Sequence, residues 1–285
     1  MLHPMAYSVW TEYFYCQEMT LKEKVQAFQN CGYTVSELSD EDGRRLLDET
    51  GDCGTAAGKK IRAVMEETGY DFPQGHLWLS ANVTGDDYKE KFEQLKPWFD
   101  MYLEAGILRG VLHCHSQGRT VNSFGNIVPQ CYEEARKRRA EVLGKVKDYL
   151  KGTDLTICVE NIPRSDTAES EGLLKLMKEL DSPNFGICLD TGHLNLAGES
   201  QEHFILNCGS YLKALHLADN MGGFDEHLMP GGHGTVDFVS VVAALRKIGY
   251  DGIFNYEIPG ENHCSIEMRL EKLRYLRRIS DLLTK

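Results

Sequence analysis

Along the 285 residues, short runs rich in apolar and β-branched side chains alternate with longer stretches whose apolar positions recur every three or four residues. The short runs predict strands over 5–9, 34–38, 75–79, 110–113, 156–160, 185–190, 214–217 and 252–257. The longer ones predict helices over 21–30, 55–68, 88–105, 132–150, 171–179, 238–248 and 266–283. Asp237 stands where a helix N-cap is needed. Gly32, Gly69, Gly106, Gly152 and Gly249 follow helices, where a left-handed residue ends the turn. Eight strands, seven intervening segments and a closing helix fit an α/β chain folded as a (β/α)8 TIM barrel, one domain over 1–285. A doubly wound open sheet shares this rhythm, and a count of strands does not prove closure.

Composition narrows the partners. At 42% hydrophobic residues the chain can bury a sizeable core. It has no long uncharged apolar run, and MLHPMAYSVW lacks a basic start followed by an apolar stretch. Neither a membrane span nor a secretory signal is expected. The 9 cysteines form no C-x-x-C pair. An odd count of this kind suggests reduced thiols and a cytoplasmic location. With 31 basic against 43 acidic residues, the net charge of −12 repels nucleic acid at long range. A homo-oligomer is compatible with the sequence but not specified by it.

Ligand-type side chains gather at the predicted strand ends. The fifth strand closes in CVEN with Glu160, the sixth in CLDTGH with Asp190, the seventh carries His216 in ALHLAD, and the eighth closes in NYEIPG with Glu257. Their separations of 30, 26 and 41 residues are each about one β/α unit. On adjacent parallel strands such residues converge on one mouth. Three carboxylates buried together repel one another unless a cation compensates them. The oxygen-rich donor set suits a divalent metal ion, manganese foremost, with zinc, cobalt, magnesium or iron as alternatives. Two positions earlier on the same face lie Cys158, Cys188, Ala214 and Asn255, small residues suited to a layer beneath a metal site.

The motifs VEN, LDTGH, HLADN with a following D-E-H and P-G-x-x-G, and YEI resemble the xylose isomerase-like TIM-barrel superfamily over essentially the whole chain. That superfamily holds sugar epimerases and isomerases, inosose dehydratases and endonuclease IV. The resemblance implies that Glu160, Asp190, His216 and Glu257 bind one metal. It also implies that Glu160 and Glu257 are the acid/base pair of a sugar, sugar phosphate or polyol isomerase or epimerase working through an enediolate. His193 is then placed to hydrogen-bond a substrate oxygen or to orient a ligand. Arg119 and Arg164 are further candidates for substrate contacts, with Asn122 beside the first.

Endonuclease IV, a trinuclear zinc phosphodiesterase, offers a second resemblance. Its additional ligand types fall on His76, His113, His193, Asp225 and His227. Charge argues against it. SANVTGDD, NMGGFDEH and IPGENHCS, the loops after strands three, seven and eight, carry no lysine or arginine with which to grip phosphates. The basic stretch ARKRRAEVLGKVK reads as the solvated face of a helix. A small-molecule, sugar-type substrate is expected instead. Ketohexose 3-epimerases carry an arginine six residues after the metal histidine, where this chain has Gly222, which disfavours a ketohexose. A dehydratase acting by the same proton abstraction, and a metal-bearing barrel that only binds a small molecule, remain alternatives.

Overall fold

The computed structural model describes residues 6–116, 119–121, 127–129, 131–261 and 263–285, without the side chains of 119–121 and 127–129. Its strands are β1 (Tyr7–Val9), β2 (Val35–Leu38), β3 (Asp71–His76), β4 (Arg109–Leu112), β5 (Arg119–Val121), β6 (Ile127–Pro129), β7 (Thr156–Glu160), β8 (Phe185–Asp190), β9 (Leu212–His216) and β10 (Phe254–Tyr256). A parallel ladder runs β2-β3-β4-β7-β8-β9, and β1 pairs in parallel with β10. Single bridges Trp10–Glu37 and Leu217–Tyr256 join the two sheets into a closed eight-stranded ring. The expected barrel is therefore present. β5 and β6 form a separate antiparallel hairpin in the long segment after β4.

The helices are α1 (Leu21–Gln29), α2 (Asp40–Glu49), α3 (Gly54–Thr68), α4 (Tyr88–Ala105), α5 (Tyr132–Leu150), α6 (Ser170–Leu180), α7 (Thr191–Ala197), α8 (Gln201–Cys208), α9 (Phe238–Ile248) and α10 (Ile266–Leu283). Asp237 caps α9, accepting from the backbone N–H of Val239 and Ser240. All five predicted stop glycines have positive φ. Apolar stripes face inward. On α4 these include Leu95, Trp98, Phe99 and Tyr102, and burying a side chain such as Phe99 contributes about 2 kcal/mol.

Several elements differ from the sequence expectation. α2, α7, α8 and the β5–β6 hairpin were not anticipated; α7 and α8, with 7 and 8 residues, are too short to show a helical period. β3 begins earlier than the predicted 75–79. Pro73 argues against a strand there, yet the β2–β3 register slips between Val35/Glu37 and Asp71/Gln74, and the proline sits in that irregularity.

The barrel interior matches its predicted small-residue layer. Cys158, Cys188 and Ala214 pack with Val111 in a cluster of their own, fully buried, and Asn255 accepts from Ser8. Burial pushes the Cys158 thiol up to about 12, so it fills space and is not a ready thiolate. Among the described residues no helix is long and apolar enough to cross a membrane.

Candidate metal centre

The ladder register carries the strand ends to one point. Asp190 on β8 lies opposite His216 on β9, and Glu160 on β7 lies opposite Cys188. Glu257 follows β10, whose bridge to Leu217 brings it to the same mouth. Glu160, Asp190, His216 and Glu257 each offer a ligand atom within 4.8 Å of the others, and all four are buried. His216 Nδ1 is 3.0 Å from Glu257 Oε2 and 3.3 Å from Glu160 Oε2.

Each of the four also keeps one buried atom outside any well-directed hydrogen bond, Glu160 Oε1, Asp190 Oδ2, His216 Nδ1 and Glu257 Oε2, although three of these lie within 3.1 Å of an oppositely charged neighbour. A buried polar atom left in this state is costly. Four converging on one space, three of them carboxylate oxygens, fit a divalent cation in both donor chemistry and charge.

Around this core stands a second set of histidines. Glu160 Oε2 lies 3.0 Å from His113 Nε2 and 3.7 Å from His76 Nε2, while Oε1 lies 3.1 Å from His193 Nδ1. Asp225 Oδ2 sits between His193 Nε2 at 3.0 Å and His227 Nε2 at 3.2 Å. The Nδ1–H groups of His76, His193 and His227 donate to the backbone carbonyls of Leu77, Asn161 and Glu257. Their Nε2 atoms are thereby turned toward carboxylates, the orientation in which imidazoles bind metals.

Charge is shared within the cluster. Burial raises the Glu160 carboxyl, but His216 and His113 outweigh it and hold Glu160 well below the usual range. Glu257 is opposed by burial in the same way and brought down to about 2, chiefly by His216. Asp190, raised by burial and by Glu257 and Glu160, reaches about 7. Burial works against protonating His76 and His227, yet Glu160 brings His76 to about 9 and Asp225 brings His227 to about 10. Negative charge accumulates faster than solvent can screen it, and imidazolium supplies the balance.

Local chemistry fixes the surrounding loops. Asn161 side-chain O accepts the N–H of Asp190 at 2.6 Å and its amide donates to Asp190 O at 3.0 Å, tying β7 to β8 just below the ligands. Asp219 and Leu228 exchange backbone hydrogen bonds at the base of the loop bearing Asp225 and His227. Asp219 Oδ1 also accepts from Val236 at 2.9 Å. Gly234 permits that closure, since a β-carbon there would meet Asp219 Oδ1 at 2.0 Å. His227 itself has φ +47°, an uncommon value for a residue with a β-carbon.

The structure thus gathers His76, His113, His193, Asp225 and His227 around the four central side chains. Arg164 stands apart: it is exposed, has φ +58°, and lines a cavity of about 580 Å³ with Arg136 and Lys175. The side chain of Arg119 and the whole of Asn122 lie outside the described residues. Sequence reasoning missed Glu37, a fully buried acid on β2 whose Oε2 is 3.0 Å from His216 Nε2. The signal was present as a lone carboxylate inside the apolar strand VSEL.

The profile of the family described as "Xylose isomerase-like TIM barrel" matches residues 25–279. A ketose 3-epimerase of Arthrobacter globiformis is 30% identical over 118 residues, 40% of this chain and 39% of that protein. An inosose dehydratase of Geobacillus thermodenitrificans is 24% identical over 201 residues, 63% of this chain and 67% of that one. Three of the curated relatives are matched over 46, 39 and 49% of their length, so the chain spans half of them or less. Among solved structures, D-psicose 3-epimerase with D-tagatose from Clostridium cellulolyticum H10 superposes with a TM-score of 0.80 at 15% identity, over 99% of this chain and 100% of that one. At that identity the likeness concerns the fold.

Proposed function

Because the chain belongs to the xylose isomerase-like TIM-barrel family, we propose that it is a divalent-metal-dependent isomerase or epimerase of a sugar, sugar phosphate or polyol. The observation that carries this reading is the convergence of four buried ligand-type side chains, three of them carboxylates, from four neighbouring strand ends. Glu160, Asp190, His216 and Glu257 hold the ion, with manganese favoured by the three carboxylates. When bound, the ion supplies electrophilic polarisation of a carbonyl and its adjacent hydroxyl.

The protein's own groups do the rest. Glu160 and Glu257, both kept ionised by neighbouring imidazoles, are the acid/base pair. One removes the proton beside the carbonyl, leaving an enediolate in the substrate. The other returns a proton to the opposite face in epimerisation, or to the adjacent carbon in isomerisation. His193, held between Asn161 O and Asp225 Oδ2, becomes a donor to a substrate oxygen when its Nε2–H turns from Asp225 to the substrate. Its closeness to two other potential ligands is also what a second cation needs.

That closeness supports a second reading, an endonuclease IV-like trinuclear zinc phosphodiesterase. His193, Asp225 and His227 offer ligand atoms within 4.8 Å of one another, as do His76, Glu160 and His216. Against it stands the net charge of −12, together with mouth loops after β3 and β9 that lack lysine and arginine. A dehydratase using the same proton abstraction is the nearest variant of the first reading. A cytoplasmic location and a soluble sugar-type substrate accompany the proposal.

Two measurements on the purified protein test it. Metal content per chain should lie near one, and ketoses or their phosphates incubated in deuterium oxide should exchange the proton next to the carbonyl. Three zinc ions per chain with cleavage of DNA phosphodiesters would transfer support to the second reading. Metal binding without any exchange would leave only a binding protein.

A further inference from the structure

We propose that Glu37 is the positioning residue of the metal centre, acting through His216 to set which ring nitrogen meets the cation and how strongly it binds. This rests on the metal-dependent reading above and assigns a role to a residue 179 positions away in sequence.

The geometry is specific. Glu37 and His216 are both fully buried, and Glu37 Oε2 lies 3.0 Å from His216 Nε2. A carboxylate can only accept, so Nε2 carries the hydrogen of this bond. Nδ1 is then the nitrogen left for an ion, and it is the one that faces Glu160 and Glu257. The same Glu37 oxygen also accepts from Gln74 Nε2 of the neighbouring strand, and that amide reaches Leu215 O at 3.3 Å. Glu37 and Gln74 are register partners on β2 and β3, so both point into the barrel. Oε2 thus takes both the amide and the imidazole, while Oε1 is buried without a hydrogen-bond partner.

A purely structural carboxylate would have no reason to select the metal-facing histidine. Burying an acid at zero exposure is unfavourable without a compensating partner, and solvent offers none here. A carboxylate behind a metal-bound imidazole raises the basicity of the ligand and locks its rotation. With Glu37 in place, the four-residue set has one pre-oriented nitrogen donor among three carboxylates that repel each other. Without it, the His216 ring is free to rotate or to present the wrong nitrogen.

The test uses the full chain. Manganese affinity is measured by isothermal titration for the wild type, for Glu37→Gln and for Ser36→Ala. Glu37→Gln keeps the shape but removes the charge, and its Kd is expected to rise about 10- to 100-fold. Ser36→Ala alters the same buried strand on its other face, where Ser36 contacts the Tyr70 hydroxyl, and is expected to keep a near wild-type Kd. Equal Kd for Glu37→Gln and wild type overturns the proposal, as does an equal loss in both variants, which would mark a packing effect.

A second measurement does not depend on the variants folding. In zinc-loaded, ¹⁵N-histidine-labelled wild type, His216 should show Nε2 protonated and Nδ1 metal-bound. The reverse assignment overturns the role of Glu37 while leaving the metal-dependent reading intact. Failure of the wild type to take up manganese or zinc at all overturns both.

Discussion

The carboxylate of Asp190 divides its two oxygens: Oδ1 accepts the backbone N–H of His193 at 2.6 Å and caps α7, while Oδ2 enters the ligand cluster without a partner. One residue therefore ends a strand, starts a helix and contributes to the candidate site. The two jobs separate by substitution. Asp190→Asn keeps an acceptor for the cap but replaces the other oxygen with an amide donor. Its metal affinity should fall by at least the 10- to 100-fold typical of outer-shell changes. Thermal stability of the metal-free protein should hold or rise, because one of three mutually repelling carboxylates is gone. Asp190→Ala should lose the affinity and, in addition, about 1 kcal/mol from the missing cap. Titration calorimetry and thermal unfolding without metal check both.

Glu257→Gln tests the acid/base assignment. Glu257 is nearly buried and lies 3.0 Å from His216 Nδ1, so the amide fits without rearranging the loop. At saturating manganese the rate of proton exchange beside the substrate carbonyl should drop by about 10²- to 10⁴-fold, the usual worth of a positioned acid or base. Circular dichroism should be unchanged. Exchange at the wild-type rate would move the role to another group.

Asp225→Asn separates one ion from several. Asp225 lies between His193 and His227 and at 38% side-chain exposure is the most accessible member of the outer cluster. If a single ion sits among the four central residues, manganese content should stay near one per chain in this variant. If the outer triad holds its own zinc, content should fall by one. Elemental analysis of wild type and variant purified in parallel gives the answer.

The barrel's chemistry was more legible than its closure. Glu160, Asp190, His216 and Glu257 could be placed because strand alternation puts every second residue inward and a carboxylate at a strand end breaks an apolar run. Closure depends on long-range contacts that leave no local signal, namely the β1–β10 pairing and two single bridges. α7 was hidden because its N-cap, Asp190, had already been read as the end of a strand. Glu37 was overlooked for the opposite reason: it sits within a strand, and the histidine it touches lies 179 positions away. Arg164, read from its place after VENIP as a substrate contact, has a left-handed backbone and lines a cavity with Arg136 and Lys175.

The last prediction concerns the ion pair that holds two mouth loops together. Arg139 on α5 donates through Nη1 and Nη2 to Asp166 Oδ1 and Oδ2 at 3.2 and 3.0 Å, and both side chains are only 5% exposed. Asp166 also accepts from the Ser116 N–H at 2.9 Å, and Arg139 Nη1 donates to Cys114 O at 3.0 Å. The residues after β4, and with them His113, are thus tied to the loop after β7. Burial works to raise the Asp166 carboxyl, but Arg139 and the Ser116 N–H outweigh it and hold Asp166 below its ordinary 3.8. A carboxylate whose folded value is depressed stabilises the fold fully above its unfolded value, and that contribution disappears as pH falls through the folded one. Asp166→Asn leaves a buried guanidinium uncompensated and should cost about 3 kcal/mol near pH 7. The gap between wild type and variant should persist down to about pH 4 and close below it, as the wild-type carboxylate takes up its proton. Urea unfolding of the two proteins across this range measures it. A gap that widened on acidification would mean that the pair does not carry the charge assigned to it.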